Sequence, residues 1–597
     1  MALLRAVAGI VAAAMVFGVA ELVAAVVGAE SAPAYALGAT VVDHTPDGLR
    51  EWAIQTFGTN DKAVLFVCMG VVAMIVAALA GVLERRTRPV GSALFVVFGL
   101  VAAIIGAGRI GGIGGALPAV IGTAAGVLAL RGLTHRIDAA RSDRSGDTRP
   151  VSPGRTRTTT VDRVQGGADP ADSAPLAGAG TVRPDDARAD TATDAAHPTD
   201  TGDVAGRPDS HGLSQASDEH EANQIDTAVP GPSDPPPVAS KGTGRRRVLG
   251  GIAATGVFAL GAGLAGRMLG GARTDVSAER ATVDLPGPAA PLPDLPPEAD
   301  LRLPELTPYL TPNDDFYRID TALVVPKVST ESWSLRIHGL VEREIVVGWD
   351  DLARRTPVEK LVTLACVSNP VNGDLIGNAR WLGYRLDELL AEAGPLPEAD
   401  MVLSHSHDGW TAGTPLSVLT DGRDALLAIG MNGEPLPVQH GYPARLVVPG
   451  LYGYVSATKW VTELEVTRFD RATAYWTRRG WSALGPIKTG TRIDTPRGRG
   501  RIPQGRTVIA GVAWAQHRGV TGVEVQIDDG DWQPARLSTE VSIDTWRQWA
   551  FDWDATPGQH TLRARTIDTT GQPQTAVEQD VIPDGATGYP TLTIQVR

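Results

Sequence analysis

LVTLACVSNPVNGDLIGNARW, residues 361–381, carries one of the two cysteines in a chain of 597 residues. The apolar run Leu361–Val367 reads as a strand, and the Asn-Pro and Asn-Gly pairs that follow read as a loop. Cys366 therefore stands at the mouth of a strand. Two widely separated cysteines make no disulfide framework, and Cys68 lies inside an apolar stretch. On residues alone two readings of Cys366 stay open. It can be a buried cysteine packing as a small hydrophobe, or it can be functional. Nucleophilic catalysis would need a base, for which His440 is the candidate. A protein-only zinc site needs three or four ligands, and no second cysteine is at hand. One soft thiolate on a metal whose other ligands come with a cofactor meets these constraints.

Outward from this stretch the pattern is mixed. WSLRIHGLVEREIVVGW alternates as paired strands, WDDLARR and RLDELLAEAG read as short helices, and the second should stop at Gly394. ADMVLSHS, DALLAIGMNG and ARLVVPG are further strands, which makes residues 301–488 an α+β domain. His405 and His407 alternate on one strand, where contact with a bound group is a better reading than metal ligation. Residues 489–597 change character to short alternating strands separated by Gly, Pro and Asp turns, the pattern of an immunoglobulin-like β-sandwich.

Upstream, five stretches are long and apolar enough to cross a bilayer: about 6–29, 63–83, 90–107, 110–130 and 248–269. The first four form a transmembrane region, residues 1–133, and the third and fourth read as a tight hairpin turning at Arg109. The basic loops ERRTRP and RGLTHRIDAARSDR belong inside the cell, so the N-terminus is inside and the fifth span, in 245–270, crosses outward. The catalytic part is then extracytoplasmic. RRRVL before the fifth span reads equally as a helix anchor and as a twin-arginine export signal. Residues 134–244 have too little apolar content to offset ordering entropy and read as a disordered cytoplasmic linker. Residues 271–300 read as a proline-rich extended spacer. Glu21 falls near the outer end of the first span, within reach of the interface. The first four spans contain no histidine, so no haem is expected there. A net charge of −13 and the lack of basic-aromatic runs argue against a nucleic-acid partner.

TLACVSNPVNGDLIGNARWLGYRLDELL, MNGEPLPVQHGYPARLVVPGLYGYVSATKWV and TPNDDFYRIDTALVVPKV together resemble the molybdopterin-binding domain of the sulfite oxidase family, and residues 489–597 resemble its dimerisation domain. The resemblance implies that Cys366 ligates molybdenum beside one pterin. It implies that Asn313, Phe316, Tyr317, Arg318 and Ser406 approach the pterin, that His440 and Arg445 hold its phosphate end, and that Ser456, Thr458 and Lys459 close around it. It also implies a homodimer, and an electron partner, cytochrome or quinone-linked, because no haem domain accompanies the core. Val371 stands where the family places a sulfite-binding arginine, and Trp481 where it places a tyrosine. Arg380, Arg478 or Arg479 could supply the missing charge. The expected function is two-electron oxygen transfer to or from a small oxyanion. The alternatives are reduction of a sulfoxide or another S- or N-oxide, and an inactive scaffold keeping the fold.

Overall fold

The computed structural model describes residues 2–57, 61–110, 112–145, 243–498 and 500–597. The N-terminal part is helical: α1 (Ala2–Val27), α2 (Pro33–His44), α3 (Asp47–Phe57), α4 (Asp61–Leu83), α5 (Val90–Ile110) and α6 (Leu117–Ser145), with α7 (Thr243–Thr274) and α8 (Ser277–Thr282) beyond the linker. Five of them, α1, α4, α5, α6 and α7, are long and apolar enough to cross a membrane. Large apolar side chains such as Phe98, Ile104, Val257, Leu260 and Met268 stand exposed on their outer faces. That pattern suits an apolar surround and not water.

Helix α1 is the hub. A Cβ on Gly9 would fall 2.0 Å from the Ala77 carbonyl of α4, and one on Gly18 2.2 Å from the Ala259 carbonyl of α7. Small residues here let backbones touch where no hydrophobic drive between helices exists. Gly18 meets Ala259, Glu21 meets Gly266 and Ala25 meets Gly270, so α7 runs parallel to α1. The chain therefore leaves α7 on the side where α1 ends.

Two segments differ from their sequence expectation, and a third, given no assignment above, is helical. The stretch between the first two spans holds α2 and α3, because Pro33 opens a helix whose Ala36, Gly38 and Ala39 are buried. Residues 134–145, assigned to the linker, continue α6: Leu133 and Ile137 pack on Ala8, Val248 and Ile252, and Arg5 pairs with Asp138. The rest of the expected disordered linker, 146–242, lies outside the described residues. The proline-rich stretch 271–300 is a docked strap. Glu279 accepts from Thr330 and Tyr442 at 2.7 and 2.8 Å, and Arg280 reaches the Pro435 carbonyl at 2.6 Å and Glu434 at 2.8 Å.

The core that follows has two sheets. Strands β1 (Ser334–Gly339), β2 (Ile345–Gly348), β3 (Val358–Ala365), β4 (Ile376–Arg385), β5 (Met401–Ser406), β6 (Thr411–Pro415), β7 (Leu426–Met431), β8 (Glu434–Pro435), β9 (Arg445–Val447) and β10 (Val461–Thr467) appear where the apolar runs lie. Their orders are β2-β1-β10-β5-β6 and β3-β4-β7-β8, with β9 on β7. Leu335, Ile337, Leu427, Leu446, Trp460 and Leu464 fill the space between. Helix α9 (Leu386–Ala393) ends at Gly394, whose φ of +70° suits a residue without a Cβ. The WDDLARR helix is only the turn Trp349–Leu352.

The C-terminal strands β11 (Gly490–Thr495), β12 (Arg501–Ile502), β13 (Gly505–Trp514), β14 (Val520–Ile527), β15 (Gln533–Pro534), β16 (Arg536–Leu537), β17 (Arg547–Ala555), β18 (Gly558–Asp568) and β19 (Thr591–Val596) form two sheets, β11-β13-β17-β16 and β12-β19-β18-β14-β15. Ile509, Val525, Trp549, Leu562 and Ile594 make one core between them.

This second domain covers the edge of β3. The Thr363 amide donates to the Asp544 carbonyl at 3.0 Å, its hydroxyl accepts from the Trp546 amide at 2.8 Å, and its carbonyl accepts from Gln516. An open edge is thereby closed within the chain. Thr363→Val keeps the shape but leaves a buried Trp546 amide without its acceptor, so it should cost about 1–3 kcal/mol. Thermal and denaturant unfolding of the full chain measures this; a variant as stable as the parent contradicts the role.

Candidate active site

Cys366 closes β3 and is half-buried; neither cysteine is in a disulfide. Its amide donates to the Leu375 carbonyl at 2.9 Å, its carbonyl accepts from the Asn369 amide at 3.2 Å, and the Asn369 side chain accepts from the Leu375 amide at 2.9 Å. The loop is also pinned from the C-terminal domain. Asn372, at φ +64°, accepts from the Ile493 amide at 2.8 Å, and Arg492 donates to the Gly373 carbonyl at 3.3 Å. Val371 sits half-buried in this pinned turn.

The residues expected to line a cofactor converge on one side. Phe316 stacks on Tyr317 at 5.3 Å and meets Trp381 and His440 edge-on at 5.8 and 5.6 Å. The His440 Nε2 lies 3.2 Å from the Asn313 carbonyl, a contact that places its proton on that nitrogen. Burial first, and then the positive charge of Arg445 and Lys459, push His440 down to about 3, so the ring is neutral. Burial and then the nearby Cys366 charge hold the Tyr317 hydroxyl far above its ordinary value, only partly offset by Arg445. Burial also raises Tyr452 to about 12, with Cys366 again contributing. Cys366, Tyr317, Arg445 and Tyr452 thus share one electrostatic neighbourhood.

Arg445 is 5% exposed, lies over the Trp381 ring at 5.1 Å, and donates to the carbonyls of His440 and Ala457 at 3.0 and 3.4 Å. Among the described residues no carboxylate forms an ion pair with it. Burial lowers it to about 10. A buried guanidinium of this kind can hold an anion. Lys459 is lowered to about 8, chiefly by burial and despite Asp320. Ser406 carries a buried hydroxyl with no partner among the described residues. Ser456 and Thr458 are turned inward, the first donating to the Tyr452 carbonyl at 2.9 Å and the second 2.6 Å from the Ser404 hydroxyl.

Two expected residues stand differently. Arg380 is paired with Glu359 at 3.0 Å, while its neighbours Ala379 and Trp381 point into the core from the other face of β4. Trp481 is a buried ring packed on Tyr454 and Trp476 at 5.8 and 6.2 Å. Of the two other arginines weighed against Val371, Arg479 lies over Tyr475 at 3.6 Å and Arg478 bonds the Thr473 carbonyl. His405 has only Glu465 nearby at 3.6 Å, and no metal-ligand cluster occurs among the described residues.

Sequence reasoning missed Asp320. Its carboxylate, 5% exposed, is shared by Lys459 at 2.9 Å, Arg318 at 2.8 Å and Lys62 at 2.9 Å. Lys62 opens α4 and also donates to the carbonyls of Asp320 and Ala322 at 3.1 and 2.7 Å. A residue from the membrane-type helices thus reaches the cationic pocket. Asp320 was visible inside TPNDDFYRIDTALVVPKV; nothing local marked Lys62, Asn372 or Arg492.

A family model described as oxidoreductase molybdopterin binding domain matches residues 322–476. Human mitochondrial sulfite oxidase is 30% identical over 301 residues, covering 42% of this chain and 55% of that protein. The uncharacterized oxidoreductase YuiH of Bacillus subtilis is 32% identical over 153 residues, covering 26% of this chain and 74% of that protein. Among solved structures, the sulfane dehydrogenase SoxCD from Paracoccus pantotrophus matches with a TM-score of 0.43 and 25% identity, over 48% of this chain and 81% of that one. The chain spans about half the length of the sulfite oxidases it matches. The family model and the sequence relatives define a molybdenum-dependent oxidoreductase. The chain belongs to the sulfite oxidase family, and its cofactor is the molybdenum–molybdopterin group.

Asp320 tests the cationic pocket. Burial alone would raise its pKa, but Lys459, Arg318 and Lys62 more than reverse this and hold it far below the carboxylate range. A depressed folded pKa gives stability that is fully present above the unfolded value of about 4 and lost as pH falls through the folded one. Asp320→Asn strands three cations, so it should lose about 3–5 kcal/mol at neutral pH. The gap to the parent should shrink only below about pH 4. Melting curves of both proteins at several pH values check this; a gap that closes at higher pH contradicts it.

Proposed function

We propose that this protein is a membrane-anchored enzyme that oxidises a small sulfite-like oxyanion at a molybdenum centre bound through Cys366. The observation that carries the reading is the buried Arg445, which has no carboxylate partner among the described residues and shares a neighbourhood with Cys366. The orphaned Ser406 hydroxyl points the same way, since a buried polar atom without a partner fits a site shaped for a polar ligand. When bound, the cofactor supplies two-electron oxygen transfer, which no side chain can perform. The chain supplies orientation and charge. Arg445 and Lys459 hold the anionic end of the pterin. Neutral His440 directs its Nε2 proton to the Asn313 carbonyl and fixes that strand–loop contact. Phe316 and Trp381 exclude water from the wall. Tyr317 keeps its proton and is not a base.

Removing a buried charge partner costs about 2–5 kcal/mol, so Arg445→Met should lower molybdenum content at least about tenfold. Cys366→Ser should abolish turnover of sulfite with a soluble dye while the pterin is retained. Full activity in Cys366→Ser refutes the ligand, and dye-linked turnover of a sulfoxide in place of sulfite assigns the reverse reaction.

We also place the catalytic part outside the cell, supported by the basic loops and by α7 running parallel to α1. Alkaline phosphatase fused after residue 270 should be active, and one fused after residue 140 inactive; the opposite pattern inverts the topology.

A further inference from the structure

A second cavity lies where the helical part meets the catalytic domain. It encloses about 490 Å³, within the range of small-molecule sites. Its floor is Ile104 and Ile105 at the end of α5, one of the helices apolar enough to cross a membrane. Tyr35 of α2 and Trp410 and Tyr475 of the catalytic domain supply aromatic walls. At the polar end Arg109 pairs with Asp43 at 2.6 Å, and His44 and Asp408 stand beside them. The Lys62–Asp320 contact clamps the two halves next to this space. Apolar side chains of a membrane-type helix beside this polar cluster suit a lipid-soluble ligand that carries polar oxygens.

Tyr475 does not end at the cavity. Its ring meets Trp476 at 5.2 Å, Trp476 meets Trp481 at 6.2 Å, and Trp481 meets Tyr454 at 5.8 Å. Gly453, beside Tyr454, lies near the Ala365 carbonyl: a Cβ on it would stand 3.8 Å away, an ordinary contact. Electron tunnelling falls steeply with distance, and closely spaced rings shorten the gaps along a path. Four aromatic side chains thus run from the cavity towards the Cys366 end of β3.

We propose that this cavity binds a membrane quinone and that Tyr475, Trp476, Trp481 and Tyr454 carry electrons to it from the Cys366 site. The inference rests on the oxidoreductase reading above and names its electron partner. Oxidation of sulfite with water yields sulfate, two protons and two electrons. Quinone takes two electrons and two protons, its two C=O groups becoming O–H groups as quinol forms. His44 and Asp408 lie where they can pass those protons from solvent.

The test uses full-length holoprotein in lipid nanodiscs, reduced with dithionite and freed of excess, so it does not depend on sulfite being the substrate. Decylubiquinone or ferricyanide is then mixed in, and reoxidation is followed. Truncating an aromatic anchor typically costs at least about tenfold in binding, so Trp410→Ala should slow quinone reduction by that factor and leave ferricyanide reduction unchanged. Trp476→Leu should slow quinone reduction without weakening quinone binding, and Trp476→Phe should restore it. Binding is read separately by photolabelling with an azido-quinone, also on cofactor-depleted protein, which separates failure of this site from failure of the molybdenum reading. Equal quinone rates in parent and Trp410→Ala, or photolabelling that phospholipid suppresses as well as quinone does, would overturn the proposal.

Discussion

The pocket of this protein gathers the buried Arg445, the largely buried Lys459 and the exposed Arg318 around a single carboxylate. Arg445, Lys459 and Arg318 crowd one region, and Asp320 is the acid that pairs with two of them. Burying unbalanced positive charge is costly unless something anionic compensates. Asp320 compensates part of it, and the remainder, centred on Arg445, is a standing demand for an anionic ligand. Burial first, and that imbalance second, keep His440 neutral and push Lys459 towards release of its proton, and the imbalance suits a cofactor with an anionic tail.

The surroundings hold this strained arrangement in place. The Cys366 loop is tied from behind by Asn372 and Arg492, and the edge of β3 is sealed by Asp544, Trp546 and Gln516. The C-terminal sheets therefore do mechanical work for the site although none of their side chains was expected in it. The proline-rich strap adds a third tie, through Glu279 and Arg280. From the opposite side Lys62 joins the helical part to Asp320. Pocket, β-domain and helices converge on two short loops, which makes the site sensitive to residues far away in sequence.

Some features were legible because their signal is local. The strand ending at Cys366, the stop of α9 at Gly394 and the five apolar helices each follow from spacing or length within one segment. The residues that the resemblance assigns to a cofactor were legible as motifs, and the structure places Phe316, Tyr317 and His440 in contact with one another or with Trp381. Arg380 was misjudged because a strand places alternate residues on opposite faces, and only pairing decides which face meets the site. The polar tail of α6 was misjudged as linker because its order comes from Arg5 and from packing on α1 and α7, contacts that composition does not record.

The sequence by itself determined the elements, the helices suited to a membrane, and the motifs that carry the thiol and cations proposed for the site, since periodicity, length and motif spacing are properties of neighbours in the chain. Only the tertiary structure decided that Asp320 would be shared by residues as distant as Lys62 and Lys459, and that Tyr475 would line a cavity together with residues of α2 and α5. Those are long-range juxtapositions. They exist only when burial of the cores has brought together segments that carry no mark of one another.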